Sequence, residues 1–167
     1  MASTPQPASQ PTSLAGAIIE HPTLGFLLQL RDEQAPTYPL HWSLFGGHME
    51  GDEAPTTALW RELAEELQLQ PQHVVRCQFV QRNPRPQGGQ QFIFHVVTNA
   101  TTDDLVLGEG KAMRYVVREQ LAAALADTSA KRLFGHGFAS NFVEIFRDHF
   151  AGRRDTLDGL NGSSPAT

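Results

Sequence analysis

Between Pro55 and Leu67 the sequence places leucines at 59, 63 and 67 and glutamates at 62, 65 and 66. Residues four apart on an α-helix share a face, so the leucines form an apolar stripe that needs a core to pack against. The three carboxylates are related by three and four residues, which predicts that they project together from the side opposite the leucines. Proline at 55 suits the first helical position, where its missing N–H costs no hydrogen bond. Like charges at this spacing repel by a few tenths of a kcal/mol per pair, and a bound divalent cation removes that repulsion. Oxygen ligands suit Mg²⁺ or Mn²⁺, and Mg²⁺ is usually shared with substrate phosphates. The ordinary alternative is a solvated helix face of mixed charge. Arg61, eight residues after Glu53 and one turn before Glu65, carries a planar fork able to hold a carboxylate in one orientation.

Around this helix the chain reads as one domain. Residues 1–13 are Pro, Ser, Thr, Gln and Ala without apolar period, and from 152 to 167 the chain turns to Arg, Gly, Asn, Ser and Pro. Neither stretch can bury enough surface to offset the entropy of ordering, so both are expected to be tails around a domain at 14–151. Strands are predicted at 15–20 and 23–31, and a hairpin from 74–81 and 91–98 joined by the Pro- and Gly-rich run 82–90. A short strand at 113–117 and a helix at 119–126 follow. Phe138, Phe142, Ile145, Phe146 and His149 then recur at helical spacing, an aromatic stripe that reads as core.

The segment before the glutamates decides between a site and a solvated face. Gly47, Glu53, Arg61, Glu62, Leu63, Glu65, Glu66 and Leu69 fit the pattern Gly-x5-Glu-x7-Arg-Glu-U-x-Glu-Glu-x-Gly-U, with U a bulky aliphatic. The charged positions and Gly47 would coincide by chance roughly once in 10⁷ registers. The chain therefore resembles the Nudix hydrolase family, of the MutT type. Trp42-Ser43-Leu44-Phe45-Gly46-Gly47 resembles the approach to the motif in that family, and Glu109-Gly110-Lys111 is similar to a Glu-Gly-Gln segment carrying a distal carboxylate in some members. One position departs: Gln68 stands where the motif has glycine. If the left-handed backbone is kept there, the side chain costs about 1 kcal/mol without touching a metal ligand.

The resemblance implies an α/β fold, an α/β/α sandwich around a mixed sheet. It implies attack of water on a phosphorus of a diphosphate with the aid of Mg²⁺ or Mn²⁺. Glu62, Glu65, Glu66 and the Gly47 carbonyl would form the metal shell, with Glu53 and Arg61 supporting it. Either Glu62 or Glu109 would be the general base, and Glu109 is preferred. Arg31, His48 and Phe45 are candidates for substrate contact, with Trp42 beside them. Glu50 and Asp52 read as surface acids, and Arg82 and Arg85 as solvated loop residues.

The substrate expected is a small nucleotide-type diphosphate, a nucleoside triphosphate before a sugar nucleotide or ADP-ribose. A nucleotide sensor that binds without cleaving is the alternative from another class, but no charged motif position is missing. A net charge of −5 argues against a nucleic-acid polymer as partner, since that needs a basic footprint. No apolar run approaches the roughly 20 residues of a membrane span, and no signal-peptide order opens the chain. The lone Cys77 cannot form an internal disulfide and lies in an apolar-rich run, so a cytoplasmic location and a packing role are expected. Monomer or homodimer stays open.

Overall fold

A computed structural model describes residues 12–127 and 132–155. Seven strands form one sheet: β1 (Leu14–His21), β2 (Gly25–Leu30), β3 (Trp42–Ser43), β4 (Phe45–His48), β5 (Val74–Pro84), β6 (Gln90–Thr98) and β7 (Ala112–Val116). Three helices accompany them: α1 (Pro55–Leu67), α2 (Arg118–Ala126) and α3 (Phe142–Phe150). The sheet order β3-β2-β1-β6-β5 is mixed, because β1 and β6 run parallel while the other pairs are antiparallel. β4 pairs with the first half of β1 and β2 with its second half, so two strands share one edge of β1.

Side chains alternate across the strands and sort into two cores. Ala15, Ala17, Ile19, Leu27 and Phe94 face α1 and meet Leu59, Leu63 and Leu67. Ile18, Phe26, Leu28 and Ile93 face the other way and meet Leu121 and Leu125 of α2 and Phe142, Ile145 and Phe146 of α3. The molecule is an α/β/α sandwich, and Phe142, Ile145, Phe146 and His149 of the aromatic stripe are buried on α3 as expected, whereas Phe138 precedes the helix, is half-buried and bridges Trp42 in extended backbone. Among the described residues no helix is long and apolar enough to cross a membrane.

The expected helix at 55–67 forms with those bounds. The two leading strands form with a turn at His21-Pro22, and the 74–98 hairpin forms with β5 extending to Pro84. The short β3 and β4 lie where only an approach to the motif was read. Residues 1–11 and 156–167 of the expected tails lie outside the described residues. Ser13, in the expected N-terminal tail, is tied in: its carbonyl accepts the Met49 N–H at 2.9 Å and its Oγ the Gln90 N–H at 3.0 Å. Asp155 does the same for the outer strand β5, donating to the Val80 carbonyl and accepting the Arg82 N–H, both at 2.8 Å. An edge strand so covered is shielded from pairing with another chain.

Gln68 ends α1 at φ 50°, ψ 33°, in the left-handed region, and its N–H reaches the Ala64 carbonyl at 3.1 Å. Its side chain is exposed. Gln68→Gly is therefore expected to stabilise the fold by up to about 1 kcal/mol, a rise of about 2–4 °C in Tm, with turnover within twofold. A calorimetric scan beside a rate measurement checks both; a large gain in rate would show that glutamine had distorted the site.

Candidate active site

The sequence expectation placed all three glutamates opposite the leucines, and the structure corrects this for Glu66. Seven residues after Leu59, at about 100° per residue, Glu66 comes round to within about 20° of that leucine. Its side chain lies at the edge of the core, 6% exposed, while that of Glu65 is 62% exposed and that of Glu62 14%. Burial pushes the Glu66 carboxyl up to about 8, and the nearby Glu109 and Glu62 charges add to the rise. Two groups oppose it. The Gly46 N–H donates to Glu66 Oε2 at 2.7 Å, and Gln29 Nε2 lies 3.4 Å from Oε1.

The glycines of β4 bring its backbone close to β1 and to the Glu62 carboxylate. Gly46 has φ +128°, and a Cβ there would sit 2.1 Å from the Ala15 carbonyl oxygen. A Cβ on Gly47 would sit 2.5 Å from the Glu62 carboxyl group, so that carboxylate lies directly against the backbone. A side chain at position 47 would displace the Glu62 carboxylate from this place.

Arg61 joins the parts of the motif. Its Nη2 donates to Glu53 Oε1 and to the His48 carbonyl, both at 2.8 Å, and its Nη1 to Glu62 Oε1 at 2.9 Å. Glu65 lies at 3.5 Å and the exposed Glu50 at 3.8 Å. The hydrogen bond from Arg61 holds Glu53 below the usual carboxylate range, and Glu53 Oε1 also accepts the Glu50 N–H at 2.7 Å. One guanidinium therefore fixes the loop 48–53 against α1 and aims Glu62. Arg61→Lys keeps the charge and loses the fork. It is expected to weaken Mg²⁺ binding about 10–100-fold while leaving the far-ultraviolet dichroism unchanged. Isothermal titration with Mg²⁺ measures it, and unchanged affinity would reduce Arg61 to a surface charge.

Glu109 is exposed, on the loop before β7, and near enough to Glu66 to raise its pKa. The loop is anchored by the Gly108 N–H, which donates to the Glu66 carbonyl at 2.7 Å. Gln29 links this loop to the cluster: Nε2 donates to the Glu109 carbonyl at 3.0 Å, and Ser43 Oγ donates to its Oε1 at 3.2 Å. The sequence reading missed Gln29. Its signal was a single amide in the otherwise apolar run Gly25-Phe26-Leu27-Leu28-Gln29-Leu30, on the face of β2 turned to α1.

A cavity of about 330 Å³ opens beside the half of β1 that pairs with β4. Its wall includes Arg31, Tyr38, Gly46, Gly47, Arg85 and Asn141. Arg31, a candidate for substrate contact, borders this cavity and donates its Nε–H to the Thr37 carbonyl at 2.8 Å. Arg85 joins it, although the loop gave no sequence reason to expect so. Phe45 also borders this cavity and is fully buried. His48 is exposed and meets Arg61 through its carbonyl, and Trp42 is buried, donating Nε1–H to the Leu133 carbonyl at 2.7 Å. Cys77 is half-buried, its thiol pushed up to about 12, which suppresses the nucleophilic thiolate.

The family model "NUDIX domain" matches residues 11–135. A search of curated protein sequences found no match. Among solved structures, the MutT protein of Methanosarcina mazei is similar at TM-score 0.60 and 19% identity, over 87% of this chain and 97% of that one. An Ap4A hydrolase of C. elegans is similar at TM-score 0.55 and 22% identity, over 83% of this chain and 98% of that one. A bifunctional NMN adenylyltransferase/ADP ribose pyrophosphatase of Francisella tularensis, complexed with AMP and a Mn ion, is similar at TM-score 0.59 and 16% identity, over 87% and 43%. At these identities the structures speak for the fold.

Proposed function

The chain belongs to the NUDIX domain family and is a hydrolase of phosphoric anhydride bonds; from that premise we propose that it cleaves a nucleoside-triphosphate-type substrate with the help of Mg²⁺ or Mn²⁺. The observation that carries this reading is the position of the carboxylate cluster. Glu62 and Glu66 contact the Gly46–Gly47 backbone, and those same glycines border the cavity that holds Arg31 and Arg85. A diphosphate spanning the two would meet the carboxylate side at one end and guanidinium groups at the other.

The donor set fits a hard divalent ion. Glu66 is a carboxyl raised first by burial and then by neighbouring negative charge, and a cation stabilises its ionised form. Glu62, Glu65, Glu66 and the Gly47 carbonyl would hold it. When bound, the ion supplies neutralisation of the phosphate charge and activation of water for attack. The chain's own groups do the positioning. Arg61 and Glu53 keep Glu62 pointed, Gln29 keeps the Glu109 loop against Glu66, and Glu109 accepts the proton of the attacking water. Arg31 and Arg85 orient the phosphates, and Tyr38 offers a ring for the base.

The cavity stands near the lower end of ligand pockets, which run to about 300–1,000 Å³. A nucleoside with its phosphates fits a cavity of that size. Assaying nucleoside triphosphates, ADP-ribose, sugar nucleotides and dinucleoside polyphosphates in ¹⁸O-labelled water tests the reading. The expected result is a nucleoside monophosphate and pyrophosphate, with label on phosphate and none on a sugar carbon. Preference for ADP-ribose would move the assignment to that class. Tight binding without hydrolysis of any substrate would make the chain a sensor.

A further inference from the structure

The face of the sheet turned away from α1 carries a second group of ligating side chains. Glu20 of β1 and His95 of β6 follow Ile19 and Phe94, so alternation turns them toward α3, which brings His149. One donor atom from each of the three lies within 4.8 Å of the others. His95 Nε2 and Glu20 Oε2 are 2.6 Å apart, and the two imidazole rings meet edge-on with centroids 4.7 Å apart. His95 is 5% exposed and His149 6%. A second observation is independent of the clustering: His149 Nδ1 is buried and has no hydrogen-bond partner among the described residues. Buried imidazole nitrogens are normally satisfied, so this one calls for a partner.

We propose that Glu20, His95 and His149 bind a transition-metal ion of the Zn²⁺ type at a second site, on the face of the sheet opposite the α1 carboxylates, serving to clamp α3 to the strands. Two imidazoles and one carboxylate are the donors of such ions, whereas Mg²⁺ prefers oxygen alone. Burial lowers the pKa of both histidines, that of His149 to about 3, so both stand in the neutral form that coordinates. Arg76, Arg118 and Arg154 surround the group and oppose a dication. The two imidazoles must therefore supply much of the affinity beside the Glu20 carboxylate, which again selects against Mg²⁺. Donors to Zn²⁺ sit about 2.0–2.1 Å from the ion and so about 3.4 Å from one another in a tetrahedral site; a spacing of 4.8 Å closes by about 1.4 Å on binding, and the 2.6 Å contact of His95 with Glu20 opens.

Untagged, metal-stripped full-length protein in excess Mg²⁺ provides the test. One equivalent of Cu²⁺, used as a spectroscopic probe, should show coupling to two nitrogens by electron paramagnetic resonance, because the carboxylate cluster on α1 offers none. Zn²⁺ added alone to the metal-stripped protein should raise Tm and, once bound, slow the uptake of Cu²⁺. His95→Gln should remove the two-nitrogen pattern, and Glu20→Gln, away from the packed core, should weaken Zn²⁺ at least about tenfold. Glu66→Gln should leave Zn²⁺ binding unchanged, which separates this site from the first. Retention of the two-nitrogen signal in His95→Gln, Zn²⁺ affinity unaltered by Glu20→Gln, or loss of Zn²⁺ binding in Glu66→Gln would each overturn the assignment.

Discussion

Replacing Glu66 with glutamine should lower turnover by about 10³-fold or more while the protein stays folded, since several kcal/mol of transition-state charge stabilisation depends on the ion this residue would hold. The substitution keeps the shape and removes the charge. In the metal-free protein that charge is a burden, because the carboxyl is buried beside Glu62 and Glu109. The variant should therefore be at least as stable as the wild type at pH 8 without metal, although Gln29 loses an anionic acceptor. A steady-state rate and a thermal scan on one sample decide it. Retention of even a tenth of the rate would remove Glu66 from the metal shell.

Removing the metal should abolish activity and also change how stability depends on pH. EDTA-treated protein should lose at least about 10³-fold in rate and recover on adding Mg²⁺ or Mn²⁺. The folded Glu66 carboxyl titrates near 8 against an ordinary value of 4.5, so folding favours its protonated form. Its contribution to stability is then fully present below about pH 4.5 and is lost as pH rises through 8, on the order of a few kcal/mol. Metal binding to the ionised form reverses the loss. The rise in Tm produced by Mg²⁺ should accordingly grow from pH 6 to pH 8 and shrink in Glu66→Gln. Equal shifts at both pH values would mean that Glu66 ionises normally and lies outside the binding reaction.

Local pattern carried much of this far. The helix at 55–67, the hairpin after it and the aromatic stripe are each written in neighbouring residues, because the helical period of 3.6 and the strand period of two are short-range properties. Glu53, Arg61 and Glu62 were legible for the same reason: they lie within ten residues of one another, on or beside one helix. Glu66 shows where the reading fails. Counting threes and fours grouped it with Glu62 and Glu65, but its azimuth next to Leu59 becomes a burial only once a sheet covers that side.

What the sequence by itself determined, then, is the motif, the helix bearing it and the apolar faces that require two layers around a sheet. Only the tertiary structure decided which distant residues meet there. Gln29 reaches Glu66 and the Glu109 loop across 37 and 80 positions, and Arg31 and Arg85 border one cavity. Glu20, His95 and His149 come together from three separate elements. Such meetings depend on strand order and register, chiefly on the parallel pairing of β1 with β6 and on β2 and β4 sharing one edge of β1. Those choices are settled by packing free energy summed over the whole core, which no window of neighbouring residues contains.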